Sequence, residues 1–335
     1  MNVRRLIPTT ATAAAVSLGL ITLSACGGSP SAADGKNADG KLDVIASFYP
    51  MQYLAEQIGG DKVAVSTLTK PGVEPHDLEL KPKQTAELSD ADLIVYLKGL
   101  QPAVDEAVQQ SGAKSTVDAA TLTKLEAHGT EAGGHEHGAQ EEHGAQEEAG
   151  HEGHDHGHGA EGASDPHVWL DPVKYAEVAK GVGAALEKAD PDNAATYKKN
   201  TAALVTKLDG LNTAFKDGLK NTSTKTFITT HAAFGYLAER YGLEQEGISG
   251  VDPESEPSPA RIKQLQKIAK DDKVSTVFFE TLVSDKTAKT VAKDAGLKTD
   301  VLDPLEGITD KSRGSDYLGV MKSNLEALQK ALGAK

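Results

Sequence analysis

The chain has 335 residues, with 49 acidic and 35 basic side chains, a formal net charge of −14 and a single cysteine. One cysteine excludes an intramolecular disulfide and any site built from several thiolates. Eleven carboxylates and no Lys or Arg fall between Glu126 and Asp165, and the rest of the chain is nearly balanced; with no basic stripe to track phosphates, nucleic acid is excluded as a partner.

Residues 1–26 read as an export signal. Arg4 and Arg5 provide a positive start, residues 11–23 an apolar stretch too short to span a bilayer comfortably, and Leu23-Ser24-Ala25-Cys26 places small residues before a cysteine. That ending resembles a bacterial lipobox, which makes Cys26 the expected lipid attachment point; an ordinary cleavable secretion signal is the alternative. Residues 27–40, rich in Gly, Ser, Ala and Asp, form a flexible tether. The mature protein is then expected on the extracytoplasmic face of the cell membrane, held by its lipid.

From Lys41, strand-like apolar runs at 43–47, 63–68, 92–97 and 116–118 alternate with helix-like stretches such as 51–58 and 82–88, the pattern of parallel α/β units. They make a first lobe over 41–189. Within it, residues 128–162 consist almost entirely of Gly, Ala, His, Gln and Glu, with His137-Gly-Ala-Gln-Glu-Glu142 repeated at once as His143-Gly-Ala-Gln-Glu-Glu148. Such a composition buries too little surface to offset its ordering entropy, so a disordered His-rich acidic loop is expected.

Asp171-Pro172 reads as an N-cap followed by proline at the first helical position, opening a helix to about residue 188. A second start at Asp190-Pro191 leads into Tyr197, Leu204, Leu208, Leu211, Phe215 and Leu219, spaced seven, four, three, four and four apart and sharing one helical face. A helix over 190–220 would measure about 40 Å, a strut able to join two domains. Strand-like runs at 226–230, 243–248, 274–279 and 298–302 then alternate with helical patterns at 232–241, 259–269, 284–295 and 316–332, a second α/β lobe over 221–335.

Of eleven histidines, three lie in segments expected to fold: His76 in Pro71-Gly-Val-Glu-Pro-His76, His167 in Asp165-Pro-His-Val-Trp-Leu-Asp-Pro172, and His231 ending Phe227-Ile-Thr-Thr-His231. At least two sit beyond the carboxyl ends of strands, where open α/β sheets bind their ligands. Val301-Leu-Asp-Pro-Leu-Glu306 adds Asp303 and Glu306 just after the last strand. Three neutral imidazoles and one carboxylate suit tetrahedral Zn(II). A lone histidine at a strand end is more often a hydrogen-bonded surface residue, so the weight rests on all three converging. Glu280, after another strand, is a candidate partner for an imidazole N–H. Trp169 is expected to pack beside the site, and Asp171 to cap its helix. In the loop, His135, His137, His143, His151, His154, His156 and His158 offer weak auxiliary metal sites.

Gly72-Val-Glu-Pro-His76, the 165–172 motif, His231-Ala-Ala-Phe-Gly-Tyr236 and Leu302-Asp-Pro-Leu-Glu306 together resemble, in order and spacing, the metal-binding solute receptors of bacterial zinc and manganese ABC importers. The resemblance runs over residues 41–332. It implies two parallel-sheet α/β lobes joined by one long rigid helix, with Zn(II) as the transported ligand in the interlobe cleft, passed to an ABC permease served by a cytoplasmic ATPase. His231 stands where many manganese receptors carry glutamate, which favours zinc; a manganese or broader divalent receptor is the alternative. A His-rich loop between the first two motif histidines also matches zinc-type members. Pro75 departs from the zinc receptors that place a glutamate before this histidine, and the fourth ligand stays open between Asp303, Glu306 and water. A monomeric binding protein, not an enzyme, is expected; a zinc-dependent hydrolase is the reading from another class, and the chain has no His-Glu-x-x-His motif to support it.

Overall fold

A computed structural model describes residue 37 and residues 39–128 and 164–335. The 1–26 signal with Cys26, most of the tether, and the loop histidines His135, His137, His143, His151, His154, His156 and His158 lie outside these described residues.

The first lobe runs β1 (Leu42–Ala46), α1 (Tyr49–Gly59), β2 (Val63–Thr67), α2 (Pro82–Asp90), β3 (Leu93–Tyr96), α3 (Pro102–Ser111) and β4 (Thr116–Asp118). Its four parallel strands take the order β2-β1-β3-β4. Two helices follow, α4 (Pro172–Ala189) and α5 (Ala194–Gly218). The second lobe repeats the first: β5 (Thr226–Thr229), α6 (Gly235–Tyr241), β6 (Glu244–Gly247), α7 (Pro259–Asp271), β7 (Thr276–Phe279), α8 (Lys286–Ala295), β8 (Lys298–Val301) and the closing α9 (Tyr317–Leu332), with strand order β6-β5-β7-β8.

Strand alternation divides each sheet between two cores. Leu42, Val44 and Ala46 of β1, Leu93 and Val95 of β3, Phe227 of β5 and Phe278 of β7 all point into one large cluster shared by both lobes. The intervening residues point the other way: Ile45 and Ile94 meet Leu88, Val104 and Val108, while Ile228 and Val277 meet Leu265 and Val291. Burial on both faces explains why these strands are nearly continuous apolar runs. The edge strand β8 carries exposed Lys298 and Thr299, which discourages further pairing.

The shared core is what fixes the lobes to each other. Helix α5, about 37 Å long, buries Tyr197, Leu204, Leu208, Leu211 and Phe215, the stripe read from the sequence. It packs on α4 along its length, on α1 of the first lobe and on α9 of the second. Asp171 caps α4, its side chain accepting from Val173 N at 2.9 Å, and its other oxygen takes the Nε and Nη2 of Arg240 from α6 at 2.8 and 2.6 Å. Among the described residues no helix is long and apolar enough to cross a membrane.

Four local readings differ from the structure. Helix α3 was not legible, because only Val104, Ala107 and Val108 are buried in a Gln- and Ser-containing stretch. The long helix starts at Ala194, after a single 3-10 turn at Pro191–Asn193. Helix α6 starts at Gly235 rather than 232, because Ala232 N donates to Gly250 O at 2.8 Å and carries the chain across the sheet's end first. His128, read as part of the loop, is an ordered residue of the fold, paired with Asp165 and Glu239.

Candidate metal centre

The carboxyl ends of both sheets face one cleft. His76 lies on the link between β2 and α2, His167 just before α4, His231 two residues past β5, and Glu306 five past β8. Pro71 and Pro75 restrict the first link, and Glu74 fastens it by accepting His76 N at 3.0 Å.

The three imidazoles converge on a single oxygen. Glu306 Oε1 stands 3.1 Å from His76 Nε2, 3.1 Å from His167 Nε2 and 3.3 Å from His231 Nε2. One ligand-type atom from each of the four side chains falls within 4.8 Å of the others. His167, His231 and Glu306 are buried, and His76 keeps 11 % of its side chain exposed, so solvent reaches the cluster on its side.

Behind the cluster, carboxylates hold two of the rings. Asp165 Oδ1 lies 2.7 Å from His167 Nδ1 and accepts His167 N at 2.9 Å. Glu280 Oε1 lies 2.6 Å from His231 Nδ1 and also accepts the Thr230 hydroxyl. Pinning Nδ1 leaves each Nε2 directed inward, the orientation in which an imidazole binds metal. His231 Nε2 and Glu306 Oε2 are buried with no hydrogen-bond partner among the described residues. Unpaired buried atoms of this kind are costly unless a ligand serves them.

Charge at the site follows from its burial. Desolvation alone would lower the His231 pKa, but Glu280 and Glu306 outweigh it and hold the value well above 6.5. At His167 burial again opposes, and Asp165 with Glu306 raises the value. Glu306 is pushed up by burial yet held well below the usual carboxylate range by His231, His167 and His76. Glu74 is raised, by burial first and by the Glu306 charge second.

Asp303 does not join the cluster. Its Oδ1 accepts Leu305 N at 2.9 Å, its Oδ2 accepts from Thr281 Oγ1 at 3.1 Å, and its backbone is clamped on both sides by the Asn324 amide at 3.0 and 2.7 Å. Leu305 takes φ 59°, an uncommon conformation for a residue with a Cβ, and this bend carries Glu306 into the cleft. Trp169 closes the inner wall: its ring lies 5.1 Å from His167 and 5.0 Å from Phe48, and its Nε1 donates to Pro304 O at 2.7 Å. The role of Asp165 had no sequence signal beyond its place in the motif.

Fold and cluster together define a two-lobed α/β protein with a rigid connecting helix and a buried imidazole–carboxylate group between its lobes. The chain belongs to the ZnuA family, described as zinc-uptake complex component A, periplasmic, whose family model matches residues 44–331. It is 37% identical over 321 residues to the "High-affinity zinc uptake system protein ZnuA" of Bacillus subtilis, covering 94% of this chain and 95% of that one. It is also 37% identical over 300 residues to the "Zinc-binding lipoprotein AdcA" of Streptococcus pneumoniae, covering 88% of this chain and 56% of AdcA. The chain thus spans about half the length of that relative. The crystal structure of the Zn(II)-bound ZnuA-like domain of Streptococcus pneumoniae AdcA superposes with a TM-score of 0.69 at 34% identity, covering 88% of this chain and 99% of that domain.

Proposed function

We propose that this protein is the extracytoplasmic zinc receptor of a zinc uptake system, holding Zn(II) with His76, His167, His231 and Glu306. The observation that carries the reading is the convergence of three Nε2 atoms on one buried glutamate oxygen, with two of the rings backed by carboxylates. The names of the relatives point to the same cargo.

In this reading Glu306 completes the four-ligand shell, and Asp303 fixes the turn that presents it. A shell closed by four protein ligands has no position for an activated water, which argues for carriage of the ion and against hydrolysis. The partner is then an ABC permease with its ATPase, and the receptor works as a monomer. Cys26 carries the lipid that keeps it at the membrane surface, the 27–40 tether gives it reach, and the loop histidines are auxiliary metal ligands. With a continuous core across both lobes, opening to release the ion is small.

Titration of the protein against a competing chelator should find one tightly bound zinc, with affinity that falls as pH drops from 8 to 5. The sign follows from the site: zinc and proton compete for the same nitrogens, and His167 and His231 both hold protons above pH 6.5 in the metal-free site. Affinity should fall about tenfold per pH unit for each proton displaced. The metal-free fold behaves oppositely, because groups with raised pKa stabilise it at low pH and lose that contribution as pH rises through their folded values. A zinc affinity that stays constant over this range rules out histidine ligation.

A further inference from the structure

Asp165 divides its carboxylate between two imidazoles. Oδ1 accepts His167 N at 2.9 Å and holds His167 Nδ1 at 2.7 Å, while Oδ2 stands 3.2 Å from His128 Nδ1. The Asp165 side chain is fully buried, and among the described residues His128 is the one hydrogen-bond partner of Oδ2. An ionised carboxylate only accepts, so His128 Nδ1 carries the proton of this bond.

His128 is itself built into place. Its ring meets Tyr236 edge-on with centroids 4.4 Å apart, and its Nε2 lies 2.9 Å from Glu239 Oε2. Gly235 makes room for the pair, since a Cβ there would collide with His128 Cβ and come within 2.9 Å of Asp165 Oδ2. The chain is drawn together around it: Asp165 N donates to Glu126 O, and the Tyr236 hydroxyl accepts Glu126 N and donates to Asp165 O, all at 2.8 Å. Tyr236 and Glu239 belong to α6 of the second lobe, so the support of this ring spans the cleft.

We propose that His128 is a positioning residue of the metal centre, acting on His167 through Asp165. The inference rests on His167 being a zinc ligand and deepens that reading. A buried carboxylate oxygen left without a donor is unfavourable, and the group responds by turning toward whatever donors remain. Those donors are the N–H and Nδ1–H of His167, so the turn redistributes the bonds that fix its ring. A ring no longer held at Nδ1 no longer keeps its Nε2 on the point where His76, His231 and Glu306 converge. Both nitrogens of His128 are already engaged, by Asp165 and Glu239, so it acts by hydrogen bonding and not as a ligand.

Three variants of the full chain test this: His128→Ala, His128→Asn, whose amide nitrogen can take the place of Nδ1, and Glu239→Gln, which leaves the bond to Asp165 intact. In chelator competition, His128→Ala should weaken zinc binding about three- to tenfold, below the roughly 10–100-fold for losing a partner bonded directly to a ligand. His128→Asn should return to within about twofold of wild type, and Glu239→Gln should stay there. The metal-free protein labelled with 15N-histidine gives a second readout, the His167 Nδ1 proton, assigned by its absence in His167→Ala. It should lie downfield in wild type, His128→Asn and Glu239→Gln, and move upfield or exchange away in His128→Ala. Because that spectrum needs no zinc, it decides this inference even if zinc binding by the wild type were to fail and the zinc reading with it. Unchanged affinity in His128→Ala, a His167 proton that does not respond, or a loss that follows the melting temperature and is not restored by asparagine overturns the proposal.

Discussion

Replacing His231 with alanine is expected to weaken zinc binding by more than about 100-fold. The floor comes from the effect of removing outer partners of metal ligands, about 10–100-fold, which loss of a direct ligand exceeds. At this position the loss is compounded, because Glu280 and Glu306 are both buried against the ring and lose it as a partner. Glu280→Gln should fall in the 10–100-fold range, since it frees the Nδ1 side of the ring and leaves Nε2 in place. The same comparison separates the two acidic candidates: Glu306→Gln should cost more affinity than Asp303→Asn, whose carboxylate holds a turn. A chelator competition assay on the four variants reads the order, and equal losses at Asp303 and Glu306 would undo the assignment.

Trp169→Ala should be the most damaging single change to the fold. The side chain is fully buried, packs on Phe48 and His167, and reaches across the cleft to Pro304 O, while its own carbonyl accepts from the Tyr317 hydroxyl at 2.6 Å. Truncating a buried tryptophan costs about 3–5 kcal/mol, and for a protein of this size that lowers Tm by roughly 10 °C. Zinc affinity should fall with it, because Pro304 sits two residues before Glu306. Trp169→Phe keeps most of the packing and removes the N–H, so it should lose less than half as much. A melting temperature unchanged by the alanine variant would show that this contact does not tie the lobes.

The features legible in the sequence were those with local periodicity or a local motif. Strand runs alternating with helices disclosed both lobes, and the Tyr197-to-Phe215 stripe disclosed α5, because a buried face must repeat with the helix. The three histidines stood out by position at strand ends or helix starts. Which of Asp303 and Glu306 meets the three histidines was hidden, because it turns on Leu305 adopting a left-handed conformation, and leucine gives no sign of that. Asp165 was hidden for a related reason: its two oxygens serve His167 and His128, which are 39 residues apart in the chain and meet only in the folded protein. His128 was read with the loop because its neighbours are low in complexity, while the partners that hold it, Tyr236 and Glu239, come from the other lobe.

The most direct test of the account is X-ray absorption at the zinc edge on protein loaded with one equivalent, measured for wild type and for Glu306→Gln. Ligation by His76, His167, His231 and Glu306 gives a first shell of three imidazole nitrogens and one carboxylate oxygen at about 2.0–2.2 Å, with the oxygen component changed in the variant. A shell with fewer than three imidazoles, or one that the Glu306 substitution leaves untouched, would contradict it.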